Sequence, residues 1–279
     1  MPMFQGGTAI TGAFIGPDPL ADIFQGETLV WESTRLIAGD ADNDAIWKLS
    51  PFALSSESGE IGTMPDGFHL GGIAYNTATR KAYALNSDLP PSIYELNLDN
   101  PSLSTKSGQD FPANVRPNLW TTRDIAYLNN QCYLITANFL EGGSRIWEFD
   151  PLAPQNTRTS WLLRNNIEFA NGITQFGNNM YCLSAQSFNS PPRYTSNEED
   201  NLWQINFRRR GQDRKMYALP DGLTTPSGLG TYRGNMYCFN LLDNSFWYLH
   251  PTNRASCRRI GPISGGLTHG GGGLQEIPA

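Results

Sequence analysis

The stretch Ile46-Trp47-Lys48-Leu49 recurs four more times in this sequence as an apolar, aromatic, variable, apolar unit. The other copies are Ile93-Tyr94-Glu95-Leu96, Ile146-Trp147-Glu148-Phe149, Leu202-Trp203-Gln204-Ile205 and Phe246-Trp247-Tyr248-Leu249. Their central aromatic residues lie 47, 53, 56 and 44 residues apart. A repeat of this length indicates one structural unit that is built five times.

Two more short segments lie N-terminal to the aromatic units. Copies of the nearer segment are Leu36-Ile37-Ala38, Tyr83-Ala84-Leu85, Tyr133-Leu134-Ile135, Tyr181-Cys182-Leu183 and Tyr237-Cys238-Phe239. Copies of the farther segment are Gly72-Ile73-Ala74, Asp124-Ile125-Ala126, Gly172-Ile173-Thr174, Gly228-Leu229-Gly230 and Gly273-Leu274-Gln275. A weaker outer strand follows each aromatic unit. Four short strands per unit, separated by Gly, Asn, Pro and Asp turns, predict an all-β, five-bladed β-propeller with four-stranded blades.

The two ends of the chain indicate how the propeller closes. The fifth farther segment, Gly273-Leu274-Gln275, is followed by no further strand, while the first unit has no clear segment of this kind before Leu36. We therefore expect the C-terminal strand to complete the N-terminal blade, which removes the open sheet edges. A competing register would use Thr28-Leu29-Val30-Trp31 as the inner strand of that blade.

Composition excludes several classes of protein. Of the 279 residues, 39% are hydrophobic and 16% are charged, which is too apolar for a disordered chain. The net charge of −6 argues against a nucleic-acid partner. No run approaches the roughly 18 apolar residues of a membrane span, and residues 1–7 lack the basic and apolar regions of a Sec signal. We expect neither a membrane span nor Sec secretion.

Residues that could hold a metal or catalyse a reaction are sparse. The four cysteines are unclustered, and the three histidines form no closely spaced pair. The run Asp40-Ala41-Asp42-Asn43-Asp44 resembles the start of a calcium loop, but Ala45 and Pro51 stand where an EF-hand needs Gly and Glu. A calcium site of another kind stays open. We predict no metal, no cofactor and no catalytic residue, and hence a protein that is not an enzyme.

Residues 1–32 carry a different repeat and are expected to form a short β-repeat arm, separate from a propeller at 33–279. Phe4-x-Gly6, Phe14-x-Gly16 and Phe24-x-Gly26 recur every ten residues, and the last unit ends at Trp31. Each unit indicates a short strand, a Gly turn and a second strand. So short a segment cannot bury a core alone. We therefore predict that Phe4, Phe14, Phe24 and Trp31 contact a partner, another copy of the arm, or the propeller.

The runs Gly6-Gly7-Thr8-Ala9-Ile10 through Phe14-Ile15-Gly16 and Gly26-Glu27-Thr28-Leu29-Val30-Trp31 resemble short repeats of bacteriophage virion proteins. The resemblance covers about a tenth of the chain and departs from the phage pattern at Pro17-Asp18-Pro19. It implies a structural component of a phage tail or tail appendage, assembled in the host cytoplasm. Its partners would be other virion proteins and further copies of itself, with a host-surface glycan or receptor also possible.

The loops that lead into the inner strands carry a candidate binding ring at one mouth of the central channel. Its members are His69, Arg123, Asp124, Asn171, Ser227 and His269. The alternative is ordinary channel polarity, satisfied by water or by the neighbouring blade; a metal or catalytic ring is a third possibility. Near-equal pockets on several blades would instead indicate a carbohydrate-binding propeller lectin, and an acid–base or metal cluster would indicate a propeller hydrolase of the lactonase type.

The insertion at 184–200 is the longest departure from the repeat, and it falls on the same face as that ring. Long loops on a rigid scaffold commonly carry function. Phe188, Arg193 and Tyr194 are of the residue types that anchor interfaces, so we predict that they contact a ligand or partner. The alternative is an unstructured surface loop.

Overall fold

A computed structural model shows an all-β chain with no α-helix among the residues that it describes. These are residues 34–278, with gaps at 52–53, 55–57, 116–119, 139–142, 164–166, 168, 185–199, 264–266 and 268–271, and the strand backbones within residues 3–32. Three single-turn 3₁₀ helices lie at Pro101–Leu103, Pro154–Asn156 and Arg254–Ser256. Each one precedes the outer strand of a blade.

Three successive antiparallel hairpins occupy residues 3–32. Their strands are β1 (Met3–Gln5) with β2 (Thr8–Ile10), β3 (Phe14–Ile15) with β4 (Asp18–Pro19), and β5 (Asp22–Gln25) with β6 (Thr28–Glu32). Two residues separate the paired strand ends in each hairpin, as between Gln25 and Thr28, which is the commonest hairpin spacing. The middle hairpin is the shortest, because proline has no N–H to donate to a ladder. These paired strands agree with the predicted pattern of short strand, turn and second strand. That residues 1–32 form an arm separate from the propeller stays a prediction.

Twenty strands build five four-stranded antiparallel sheets, the blades of a propeller. In chain order they are β7 (Thr34–Asp40), β8 (Ala45–Leu49), β9 (Gly59–Thr63), β10 (Leu70–Asn76), β11 (Lys81–Asn86), β12 (Ser92–Glu95), β13 (Thr105–Ser107), β14 (Trp120–Leu128), β15 (Gln131–Asn138), β16 (Ser144–Phe149), β17 (Thr159–Leu162), β18 (Ala170–Phe176), β19 (Asn179–Ser184), β20 (Asn201–Gln204), β21 (Arg214–Ala218), β22 (Pro226–Tyr232), β23 (Asn235–Asn240), β24 (Ser245–Leu249), β25 (Arg258–Pro262) and β26 (Leu274–Pro278). Blades 2 to 5 take their strands consecutively from β10 to β25, inner strand first.

Blade 1 joins the two ends of the propeller, in the order β26-β7-β8-β9. The inner strand β26 pairs with β7 from Leu274 opposite Ala38 to Pro278 opposite Thr34. The predicted closure by the C-terminal strand is confirmed. The competing register is wrong, because β6 pairs with β5 in the third hairpin instead.

Five apolar clusters form the core, one between each pair of neighbouring blades. The repeated aromatic residue of the third strand contributes to each of them. Trp47, Trp147, Trp203 and Trp247 are buried, and Tyr94 packs against its cluster from the edge. The repeat seen in the sequence therefore follows from packing, since every interface between blades is filled by the same strand position.

The two faces of the propeller differ in what they carry. We call the face where the inner strands begin the entry face and the face where they end the arm face. Thr34, the first residue of β7, pairs with Pro278 at the end of β26, so the N-terminal hairpins join the propeller on the arm face. β19 ends at Ser184 and β20 begins at Asn201, both on the entry face.

Candidate functional site

A cavity of about 610 Å³ opens at the centre of the arm face, where the five inner strands end. Its described lining residues are Thr34, Tyr75, Thr77, Ala126, Tyr127, Asn129, Asn130, Thr174, Gln175, Gly177, Thr231, Gln275, Glu276, Ile277 and Pro278. Every blade contributes to this list. A volume of this size lies within the range of small-molecule sites in proteins, about 300–1,000 Å³.

One position of each inner strand forms a ring around this cavity. The position lies three residues after the Gly or Asp that opens the repeated segment, and its occupants are Tyr75, Tyr127, Gln175, Thr231 and Glu276. All five line the cavity because the inner strands are equivalent around the axis. Tyr75 and Tyr127 are 6% and 7% exposed, so their rings form part of a packed wall.

At their beginnings, by contrast, the inner strands pack against one another. A Cβ atom on Gly72 would lie 2.5 Å from Oδ1 of Asp124, and one on Gly273 would lie 2.5 Å from the backbone N of Ile73. A Cβ atom on Gly172 would lie 2.8 Å from the backbone N of Leu229. Real Cβ atoms do not approach other atoms so closely, so glycine is what permits this contact. The strands therefore draw together on the side of the cavity that faces the entry face.

Several polar groups in the cavity wall are fixed by hydrogen bonds. The Nε2 group of Gln175 donates to the carbonyl of Gly177 at 2.8 Å, and that of Gln275 donates to the carbonyl of Glu276 at 3.0 Å. Glu276 accepts from the hydroxyl of Thr34 at 2.7 Å and from the backbone N–H of Arg233 at 3.0 Å. Both carboxylate oxygens of Glu276 thus have neutral donors, which ties β26 to β7 and to blade 5.

Two amides stand at the rim of the cavity in the turn between β14 and β15. Asn129 and Asn130 have φ values of 52° and 63°, in the left-handed region that asparagine tolerates better than most residues. Two such residues in sequence give the hairpin turn whose twist matches that of the flanking strands. The local sequence therefore both closes the hairpin and places two exposed amides beside the opening.

The residues of the predicted binding ring lie at the other ends of the inner strands. Asp124 is 1% exposed, and its carboxylate accepts from the N–H groups of Ile125 at 2.8 Å and of Ile173 at 3.0 Å. Burial raises the pKa of Asp124 well above its ordinary value, and the two N–H donors lower it by less. Since Ile173 belongs to blade 4, the Asp124 side chain joins two blades.

The other described members of that ring also contact neighbouring chain segments. Asn171 donates to the carbonyl of Pro226 in blade 5 at 2.9 Å, and Ser227 is 2% exposed. The guanidinium of Arg123 lies 4.6 Å from the ring centre of Phe169. His69 is exposed, with Nδ1 2.9 Å from a carboxylate oxygen of Asp88. Polarity satisfied by the neighbouring blade, one of the alternatives weighed above, describes Asp124 and Asn171; a ligand-binding role for the ring stays a prediction.

The remaining predicted residues cannot be placed. His269, Phe188, Arg193 and Tyr194 lie outside the described residues. Phe4, Phe14, Phe24 and Trp31 belong to hairpin strands of which only the backbone is described. Their predicted roles in binding and assembly stay predictions.

Sequence reasoning missed the cavity, although a signal for it existed. The predicted ring lies before the inner strands, whereas the residues that line the cavity lie at the ends of those strands. Once the five repeats are aligned on Gly72, Asp124, Gly172, Gly228 and Gly273, the third position after them is polar or aromatic in every blade.

Among the described residues, no group of three His, Cys, Asp or Glu side chains could hold a metal ion. None of the described helices is long and apolar enough to cross a membrane.

Comparison with known proteins supports the fold only. No protein-family model and no curated protein matches the chain. A chain of the nidogen/laminin complex is 12% identical, covers 88% of this chain and 98% of its own length, and has a TM-score of 0.54. The PQQ-bound aldose sugar dehydrogenase of Streptomyces coelicolor is 15% identical, and the match covers 81% of this chain and 77% of the dehydrogenase, with a TM-score of 0.49. Streptogramin B lyase is 14% identical, and the match covers 82% of this chain and 66% of the lyase, with a TM-score of 0.47.

These neighbours contradict the prediction that the chain is not an enzyme. Two of them, the sugar dehydrogenase and the lyase, are enzymes by name. The prediction took the scarcity of catalytic motifs as an exclusion, whereas one architecture supports both catalytic and non-catalytic sites. That exclusion is withdrawn. At such low identity the neighbours assign no reaction to this chain.

Proposed function

We propose that this chain is a structural component of a bacteriophage particle, attached to the tail or a tail appendage through residues 1–32. The observation that supports this most directly is the row of three hairpins that repeats every ten residues and leads straight into blade 1. The sequence of these hairpins is also where the resemblance to phage virion repeats lies.

Isolated two-stranded hairpins make poor independent structures. Each of the three forms a sheet of only two strands, and such a hairpin is marginally stable in water. Its outer edges leave N–H and C=O groups ready to pair with another chain. The arm therefore gains most by pairing with another copy or with a different virion protein. In the described part of the propeller each blade is a four-stranded sheet, and its short outer strand is paired on one side only.

This division suggests a role for each part. The arm would hold the protein in a symmetric assembly, and the propeller would be carried as a rigid body. Several copies on one particle would strengthen weak contacts with a host-surface glycan or receptor. The protein would be assembled in the host cytoplasm and function in the virion.

The solution mass tests this proposal. Light scattering should find the full chain as an oligomer and a chain starting at residue 33 as a folded monomer, with circular dichroism to verify that the shortened chain keeps its β structure. A matched control deletes only residues 1–2, before β1, and should keep the oligomer. Equal monomeric masses for all three proteins would contradict an assembly role for the arm.

A further inference from the structure

We infer that the axial cavity on the arm face is a binding site for a neutral, hydroxyl-rich ligand of the carbohydrate class. This inference does not rest on the proposed particle role. It concerns a different part of the molecule from the predicted ring at the entry face.

The shape of the cavity suits a compact ligand. Its volume is about 610 Å³, and residues from all five blades surround it. On the entry-face side the inner strands pack together through glycine contacts. A ligand would therefore enter from the arm face and be enclosed by the strand ends, as small-molecule sites usually enclose their ligands.

The chemistry of the wall favours hydroxyl groups. Amide and hydroxyl side chains predominate, supplied by Thr77, Asn129, Asn130, Thr174, Gln175, Thr231 and Gln275. Amides and hydroxyls can both donate and accept hydrogen bonds, which is the pairing that a sugar hydroxyl needs. Tyr75 and Tyr127 also line the cavity, and the small part of each ring that is exposed can contact the apolar C–H groups of a sugar.

The charge of the wall disfavours ionic ligands. Glu276 is the only charged side chain among the described lining residues. It would repel an anion. Its two oxygens each accept one hydrogen bond, from Thr34 and from the N–H of Arg233, so part of their acceptor capacity is already used. No second carboxylate stands beside Glu276 among the described lining residues to help hold a cation. A neutral ligand therefore suits this wall better than an ion.

Part of the site is held in place before a ligand arrives. The amide groups of Gln175 and Gln275 are held by backbone carbonyls, and both tyrosines are packed into the wall. Side chains that are already ordered lose little entropy on binding, which improves affinity for a small ligand.

The test uses the full chain and a panel of glucose, galactose, N-acetylglucosamine, maltose and lactose. Saturation-transfer NMR should detect at least one of them, and titration of that sugar should saturate. Thr231, half-buried in the ring, is replaced in Thr231→Trp to fill the cavity; Thr105, exposed on the outer strand β13, gives the matched control Thr105→Trp. We expect Thr231→Trp to weaken binding at least tenfold and the control to leave it unchanged.

A second variant keeps the test decisive if Thr231→Trp does not fold correctly. If Thr231→Trp lowers the unfolding temperature, Gln175→Ala removes one wall amide without adding bulk and should weaken binding at least threefold. The inference is overturned if no sugar of the panel shows saturable binding. It is also overturned if Gln175→Ala and a folded Thr231→Trp protein bind the sugar as the parent does, because the site would then lie elsewhere. Neither result bears on the oligomer test above.

Discussion

The five inner strands meet closely at their beginnings and surround a cavity at their ends. The beginnings carry Gly72, Gly172 and Gly273, which let neighbouring backbones touch. The ends carry larger side chains, among them Tyr75 and Gln175, which line the open space. The same strands thus give a packed axis or a polar cavity according to the size of one residue per blade. In this propeller the beginnings of the inner strands contribute to stability through close packing, and their ends form the cavity that we infer to be a binding site.

Deleting β26 should lower the free energy of unfolding most, because it removes one inner strand from both the packed beginnings and the open ends of the set. A chain that ends at Gly273 loses Leu274 and Ile277, which are 2% and 0% exposed. Loss of a large buried side chain costs about 2–5 kcal/mol, so the two together should remove about 4–10 kcal/mol of stability. That approaches the whole stability of many domains. Urea unfolding and near-ultraviolet circular dichroism measure the loss.

A chain that lacks only Ala279 is the control for this deletion and should unfold at the same urea concentration as the parent. If the chain without β26 also unfolds at that concentration, blade 1 does not depend on its closing strand. The importance assigned to the inner strands would then be wrong.

The sequence predicted the packed parts of the molecule better than the open part. Trp47, Trp147 and Trp203 recur because each fills the same place between two blades, so packing leaves a periodic record in the sequence. Closure by the strand that contains Leu274 was predictable for a related reason, because a blade without an inner strand would expose the edge of its sheet. The cavity leaves a weaker record. Its ring position is polar or aromatic in every blade, but it holds four different residue types, because surrounding a space does not require one shape.

Asp124 shows a second limit of sequence reasoning. Its place at the beginning of an inner strand was predicted correctly, but its exposure was not a property that the sequence could give. A carboxylate there can face solvent or turn towards Ile173 in the next blade. In the folded structure the carboxylate accepts from the N–H of Ile173 in blade 4. On the blade 2 side it fills the space that Gly72 leaves by having no side chain. Only the folded structure reveals that these groups are so close.

Adding a single methyl group at the packed end should have the next largest effect. In Gly273→Ala the new Cβ would meet the backbone N of Ile73, and the φ of 93° is strained for alanine. Overpacking costs about 1–3 kcal/mol and the left-handed backbone about 1–2 kcal/mol. We expect a loss of about 2–5 kcal/mol in the free energy of unfolding.

Gly234→Ala is the matched control for this variant. Gly234 also has a positive φ, 69°, but a Cβ atom there would meet no atom within 4 Å. It should cost only the backbone strain, about 1–2 kcal/mol. Equal losses for the two variants would show that close packing at the beginnings of the inner strands adds nothing to stability.

The smallest expected effect is a pH dependence that distinguishes the buried Asp124 from an exposed carboxylate. Burial raises the pKa of Asp124 well above the 3.8 of the unfolded chain. A raised pKa means that the folded state holds the proton more tightly. The stability contributed by Asp124 is therefore full below about pH 4 and is lost as the pH rises through the folded pKa. Asp124→Asn should cost about 1–3 kcal/mol near pH 4, because one buried N–H loses its acceptor, and less near pH 7.

Asp243 should show the opposite trend and so provides the control. Burial would raise its pKa, but the hydroxyl of Ser245 and the guanidinium of Arg259 outweigh burial and lower that pKa below 3.8. The stability it contributes is present above its unfolded pKa and is lost as the pH falls through the folded value. Asp243→Asn should therefore cost more near pH 7 than near pH 2, which lies below the unfolded pKa of 3.8. Urea unfolding of both variants and the parent across this range measures the two slopes. If the two slopes have the same sign, Asp124 is not protonated by burial, and the packed end of the axis is more accessible to water than its glycine contacts imply.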